Sequence, residues 1–333
     1  VLTPPPASSV LAACDVTASS RDDLAALFRR IHARADAVHA AGTATVTAAV
    51  GASLFDGRFG LAATRPKRLV PMPEFPGDVP DPAWCHGDLL LQICAERPEA
   101  AGTVADDLIV PGLRPRWRLD GFRQENGTLP DRRPTARNLF GFREGAGNPD
   151  PGDSPLMDRL VWVTDDRDEP AWTVGGSYQV IRLIRFATAL WNAEPEPRQE
   201  AVFGRRKRDG VPLGHGRETE DFDYSRDPDG LVIPLDAHIR RANPRTAATA
   251  DNRILRRGYS YRRGLDTTGR PDEGLAFICF QQDVERGFAT VQRRLADEAL
   301  AKYVLTYGGG YFFVLPGVSS AAGDYLGRAL VGG

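Results

Sequence analysis

Glu144 is the residue most open to chemistry. It stands between Gly141 and Gly145 in the segment NLFGFREGAGNP, residues 138–149. Glycine has no Cβ, so such a loop lets backbone and one carboxylate approach a ligand closely. His238 lies in DAHIRRANPR, residues 236–245, with Arg245 closing the run. Alone, His238 reads either as a satisfied loop histidine or as a metal ligand. Eighteen residues on, ILRRGY places Arg256 and Arg257 side by side. In an extended segment these two point to opposite faces. Each guanidinium stays charged and donates hydrogen bonds at any working pH, and each is equally at home in a surface salt bridge.

Other chemistries find little support. Gly141, Gly145 and Gly147 lack the GK[ST] ending of a phosphate cradle, and no G-x-S-x-G elbow appears. Cys14, Cys85, Cys94 and Cys279 make no CxxC or zinc spacing. Three of them sit in apolar runs and read as buried, reduced thiols. Cys85-His86 alone is a thin basis for a metal site. The basic run at residues 205–208 reads as a solvated loop.

The elements that must position these residues alternate in type. Residues 10–16 (VLAACDV) read as a strand, and Ser20 with Asp23 caps an amphipathic helix bearing Leu24, Leu27, Phe28 and Ile31 that Gly42 closes. Residues 45–50 and 88–94 (DLLLQIC) read as strands, with a helix-prone stretch near 96–108 and another strand near 117–122. The second half replays this order: a strand at 178–186 (YQVIRLIRF), a helix near 196–203, a strand at 275–280, a helical stripe of Val284, Phe288, Val291 and Leu295, and a closing strand at 311–315. Such repeated units predict two related α+β lobes, residues 1–150 and 151–333. Residues 219–263 show few periodic segments and read as a long irregular insertion, usually functional in a compact protein.

The chain has 333 residues, long for one simple core. With 42% hydrophobic and 26% charged residues and a formal charge of −2, it lacks the basic excess that nucleic-acid binding requires. No apolar run reaches the length of a membrane span. Val1 with no Met, ahead of a Pro-rich lead-in, suggests a trimmed mature form.

Taken together, LFDGRFG, NLFGFREG, HIRRANPR, ILRRGY and YFFVLPG resemble the dye-decolorizing (DyP-type) haem peroxidases, bacterial secreted branch, over nearly the whole chain. In that family the glycine-flanked loop reads GxxDG; here Glu144 replaces the Asp. The resemblance implies an α+β fold of two ferredoxin-like lobes, of the dimeric α+β barrel type, with a haem b pocket mainly in the C-terminal lobe. It implies His238 as the axial ligand of the haem iron, Arg256 and Glu144 as the catalytic pair on peroxide, and Gly145 and Arg245 as cofactor contacts, Arg245 at a propionate. Asp283 is the acid expected at the far nitrogen of His238, although it reads equally as an N-cap. Hydrogen peroxide and a reducing dye, phenol or other small molecule are the implied partners, acting through an oxo-ferryl intermediate. Surface relays through Trp162, Trp172, Trp191, Tyr259 or Tyr261 are set against plain packing for each. The branch further implies export in the folded state by the twin-arginine route, and a homo-oligomer is open. A haem transport or iron-release protein on the same fold is the alternative, and a haemless binding protein a third.

Overall fold

The computed structural model describes residues 1–266, 268–319 and 323–332. In chain order its strands are β1 (Ser8–Val16), β2 (Thr45–Gly51), β3 (Leu89–Ala95), β4 (Leu113–Phe122), β5 (Gln124–Thr128), β6 (Pro134–Arg137), β7 (Arg143–Glu144), β8 (Ser177–Phe186), β9 (Leu255–Arg256), β10 (Tyr259–Leu265), β11 (Pro271–Gln281) and β12 (Val304–Val314). Eight of them run β10-β4-β1-β3-β2-β12-β8-β11 and close through β10–β11, with β9 attached to β11. Small sheet β5-β6-β7 stands apart. This is the α+β arrangement of two ferredoxin-like lobes joined into one barrel. One seam pairs β2 with β12 from Phe312↔Gly51 to Val314↔Ala49. The other joins β4 to β10 through the single pair Ser260↔Phe122.

Alternation of side chains along each strand sorts the apolar residues into two cores. Leu11, Leu90, Trp117, Ile181, Ile278, Phe312 and their neighbours fill the barrel interior. The opposite faces carry Val10, Leu89, Leu91 and Ile93, covered by α1 (Arg21–Ala40) and α2 (Pro98–Leu108). Helix α1 starts where expected: the Ser20 side chain accepts from the Asp23 amide, and Gly42 follows its end at φ +63°.

Helices of the second half are shorter: α3 (Ser154–Leu160), α4 (Thr188–Asn192), α5 (Glu196–Phe203), α6 (His238–Ala242) and α7 (Thr290–Arg294). The stripe from Val284 to Leu295 is not one α-helix. Residues Glu285–Ala289 form a π-turn that leads into α7, so Phe288, Val291 and Leu295 still face one side. Two further expectations change. Strand β10 starts inside the stretch read as irregular, and β12 begins at Val304, well before residue 311. Gly308, Gly309 and Gly310 interrupt the apolar pattern there, yet a Cβ on Gly309 would meet the Ile181 carbonyl at 2.0 Å. All four cysteines are free and buried. No helix among the described residues is long and apolar enough to cross a membrane.

Candidate active site

The outer face of the second-half sheet forms the floor of a cavity of about 290 Å³. Ile184, Phe186, Leu275, Phe277 and Val304 line it from the strands, and Phe288, Val291, Leu295 and Leu300 from the short helical segments above. His238, Glu144, Gly145, Arg245 and Arg256 all line this one cavity. It adjoins a polar space of about 390 Å³ that shares Arg133, Asn243, Arg245 and Arg253 with it.

His238 is the first residue of α6. Its Nδ1 lies 2.6 Å from Oε2 of Glu298, whose side chain is 8% exposed. Two contacts bracket this pair: the Ala299 amide donates to the Asp236 carbonyl at 3.3 Å, and Arg241 donates to the Asp297 carbonyl at 3.1 Å. No partner is found for His238 Nε2 among the described residues. Asp283 does not serve this histidine. Its Oδ1 accepts from the amides of Glu285 and Arg286 at 2.8 and 3.0 Å, and Oδ2 lies 3.9 Å from Arg68. The N-cap reading holds for Asp283, and Glu298 takes the place expected of it. Sixty residues separate Glu298 from His238, and nothing in its local sequence marks it.

Glu144 sits on β7, opposite Ala136 of β6. The Thr135 hydroxyl donates to its carbonyl at 2.8 Å. Gly145 takes φ +110°, and a Cβ there would lie 2.0 Å from the Pro134 carbonyl, so this position requires glycine. The loop is anchored by stacking: Phe140 on Phe186 at 3.9 Å and Phe142 on Phe203 at 4.0 Å. Glu144 Oε1 accepts from Asn138 Nδ2 at 3.0 Å. No hydrogen-bond partner is found for Oε2 among the described residues, and it would lie 3.8 Å from a Cβ on Gly258.

Arg256 is bracketed by Asn148. The asparagine Oδ1 accepts from the Arg256 amide (3.2 Å) and Nε (3.1 Å), and its Nδ2 donates to the Arg256 carbonyl (2.8 Å). Arg257 leaves in another direction and donates to the Thr3 carbonyl. Burial lowers the pKa of the Arg256 guanidinium, and the Glu144 carboxylate partly offsets this.

More cations gather around the cavity than the sequence suggested. Arg205, read as part of a solvated run, is buried and donates to the carbonyls of Gly210 (2.6 Å) and Glu218 (3.0 Å). Burial, then Arg245 and Arg256, push its pKa down to about 10. Arg245 stacks over Phe222 at 3.9 Å and pairs with Asp221 at 2.7 Å. Burial raises the pKa of the Glu218 carboxyl against the pull of Arg143 and Arg205. Arg253 Nε is buried without a hydrogen-bond partner among the described residues. Apolar walls, a free imidazole nitrogen and arginines toward the polar space suit a flat apolar group with anionic edges that ligates through a metal.

The aromatic residues considered as relays are mostly packed: Trp172, Trp191, Tyr259 and Tyr261 are all buried. Cys85-His86 gathers no further ligands; among the described residues no group of three or more metal-ligating side chains occurs.

Comparison with known proteins accounts for this architecture. The chain is 46% identical to a protein named deferrochelatase from Shigella flexneri, over 99% of this chain and 85% of that one. The deferrochelatase of Escherichia coli K12 is 45% identical over the same shares. Among solved structures, ferric DtpA from Streptomyces lividans superposes with a TM-score of 0.90 at 36% identity, covering 100% of this chain and 94% of that chain. A DyP-type peroxidase from Streptomyces coelicolor gives 0.90 at 35%, with the same coverage. Residues 1–123 match the family described as Dyp-type peroxidase, N-terminal, and residues 135–319 the one described as Dyp-type peroxidase, C-terminal. With both halves of the barrel thus matched, the chain belongs to the DyP-type peroxidase family.

Proposed function

We propose that the chain is a haem b peroxidase that uses hydrogen peroxide to oxidise dyes, phenols or similar donors. One observation carries this reading. A histidine whose Nδ1 is tied to a buried carboxylate shares a cavity with an arginine and a glutamate that have hydrogen-bonding capacity to spare. Haem held there would supply the redox chemistry, two-electron reduction of peroxide and one-electron oxidation of donors.

The residues then divide the work. His238 would offer Nε2 to iron, and Glu298 accepts a hydrogen bond from Nδ1–H, which fixes tautomer and ring orientation and makes the imidazole a more electron-rich ligand. Arg245 and Arg253 suit the carboxylate edges, as planar cations do. Arg256, held by Asn148, keeps a positive charge where negative charge develops on the departing oxygen. Glu144 takes a proton from one peroxide oxygen and returns it to the other. Bulky donors stay outside the cavity. The same reading includes export of the folded, loaded protein, in which the four buried thiols stay out of reach of disulfide exchange.

A second reading is release of iron from haem, favoured by the 46% identity to a protein named deferrochelatase. One experiment separates the two. Purified protein loaded with haem is given one equivalent of peroxide and then a dye, and its absorption spectrum is followed. Spectral conversion and dye oxidation well above free haem support the peroxidase. Dye oxidation no better than free haem, with metal-free porphyrin accumulating under reducing conditions, supports iron release.

A further inference from the structure

Asn138 holds a position that the peroxide chemistry described above does not use. It is buried, 7% exposed, and its carboxamide is engaged at both ends. Oδ1 accepts from the backbone amides of Phe140 and Phe142, each at 3.1 Å. Two amide donors on one end of the carboxamide settle which end is oxygen. Nδ2 must therefore point the other way, and there it meets Glu144 Oε1 at 3.0 Å. Its backbone closes the same loop: the Asn138 amide donates to the Phe142 carbonyl, and its carbonyl accepts from Gly141, both at 2.9 Å.

We propose that Asn138 is a positioning residue that clamps Glu144 by Oε1 and so makes Oε2 the atom that carries the proton. The proposal rests on the reading of Glu144 as proton carrier. A glutamate has three rotatable side-chain bonds, and one that is tethered only by its backbone spreads over many rotamers. The clamp selects one. An Nδ2 group only donates, so Oε1 keeps accepting whether the carboxyl is ionised or protonated, and proton exchange falls to Oε2, beside Gly258. An aspartate at this position would end about one carbon–carbon bond short, ~1.5 Å, beyond hydrogen-bond range of Nδ2 without a backbone shift. The longer acid is thus matched to this asparagine.

The test uses the haem-loaded protein and follows the peroxide reaction by stopped flow across pH. It also follows the infrared carboxylate band of ¹³C-labelled glutamate, identified by its loss in Glu144→Gln. Asn138→Asp keeps an acceptor for the two loop amides, so the loop survives, but it sets a second carboxylate beside the first. Two carboxylates at such a distance cannot both ionise freely. The expected result is an acid limb of the rate profile that moves up by about one pH unit or more, with the labelled band titrating in step. Asn138→Ala should slow the reaction about tenfold, on the scale of a lost positioning contact, and shift the labelled band. In the Glu144→Gln background neither substitution should change the rate further. Wild-type-like pH limbs in Asn138→Asp, or equal slowing in both backgrounds, would overturn the clamp alone. An acid limb that survives in Glu144→Gln would overturn the proton-carrier reading and the clamp with it.

Discussion

The two halves of the barrel cover the outer faces of their sheets differently. In the first half, α1 runs for 20 residues and α2 for 11, and Leu24, Leu27, Phe28, Ile31, Val104 and Leu108 pack in one buried cluster with residues of β1, β2 and β3. In the second half, α6 and α7 have five residues each and a π-turn precedes α7. The sheet face beneath carries Arg182 and Thr306 among its apolar residues, and the space between is the cavity. Similar strand units thus build a core where long helices lie on them and a binding site where the covering is broken into pieces. Broken segments also supply element ends: His238 opens α6, Glu298 precedes the helical turn at Ala299–Tyr303, and Glu144 closes β7.

Substitutions can break this contrast or sharpen it. The largest effect belongs to His238→Ala, which should weaken haem binding by more than the about 100-fold that loss of a supporting partner can cause; Soret absorbance per chain after reconstitution measures it, and full occupancy would remove the ligand assignment. Phe28→Ala, in the sealed half, should cost about 3–5 kcal/mol of stability yet leave the haem spectrum of the folded protein unchanged. Phe203→Ala, beside the cavity, should do the reverse and reduce haem occupancy at smaller cost to the denaturation midpoint. If both lose stability alone, the two halves do not differ as described. Arg256→Ala should slow the peroxide reaction about 10²–10³-fold and Glu144→Ala less. Stopped-flow traces in the opposite order would exchange their roles.

The smallest effect concerns pH, at the seam between the halves. His86 donates its amide to Gly309 of β12, and burial, then Arg116, lowers the pKa of its imidazole from the ordinary 6.5. The fold therefore favours the neutral ring. That contribution is complete above the unfolded value of about 6.5 and is lost as pH falls through the lowered folded value. His86→Gln should flatten the fall in Tm between about pH 7 and 5, and an unchanged slope would assign the acid sensitivity elsewhere.

Much of this was legible in the chain because apolar periodicity and cap residues act locally. β1, α1, β2, β3, α5 and β8 follow from their own residues, as does the glycine requirement at 145. His238, Glu144 and Arg256 do line one cavity. What the sequence withheld depends on packing between distant segments. Glu298 meets His238 only because the Asp236–Ala299 contact folds one strand of chain against another. Asn138 and Asn148 look like ordinary turn residues until their carboxamides are seen to grip Glu144 and Arg256. Asp283 satisfied a local rule, capping the amides of Glu285 and Arg286, and does not reach the histidine. Arg205 showed charge but not burial, since the carbonyls it serves come from Gly210 and Glu218.

The β4–β10 seam closes through one registered pair, Ser260↔Phe122, and a Cβ on Gly121 would meet Tyr259 at 2.7 Å. A ring of strands with one short seam has a natural place to breathe. Opening there leaves β10 held from one side by β11, and just upstream the segment bearing Arg256 and Gly258 loses the support of β4, while the three-pair β2–β12 seam stays shut. Amide exchange along residues 255–262 should accordingly report a sub-global opening below the energy of full unfolding, so that the arginine's side of the pocket would loosen before the barrel as a whole gives way.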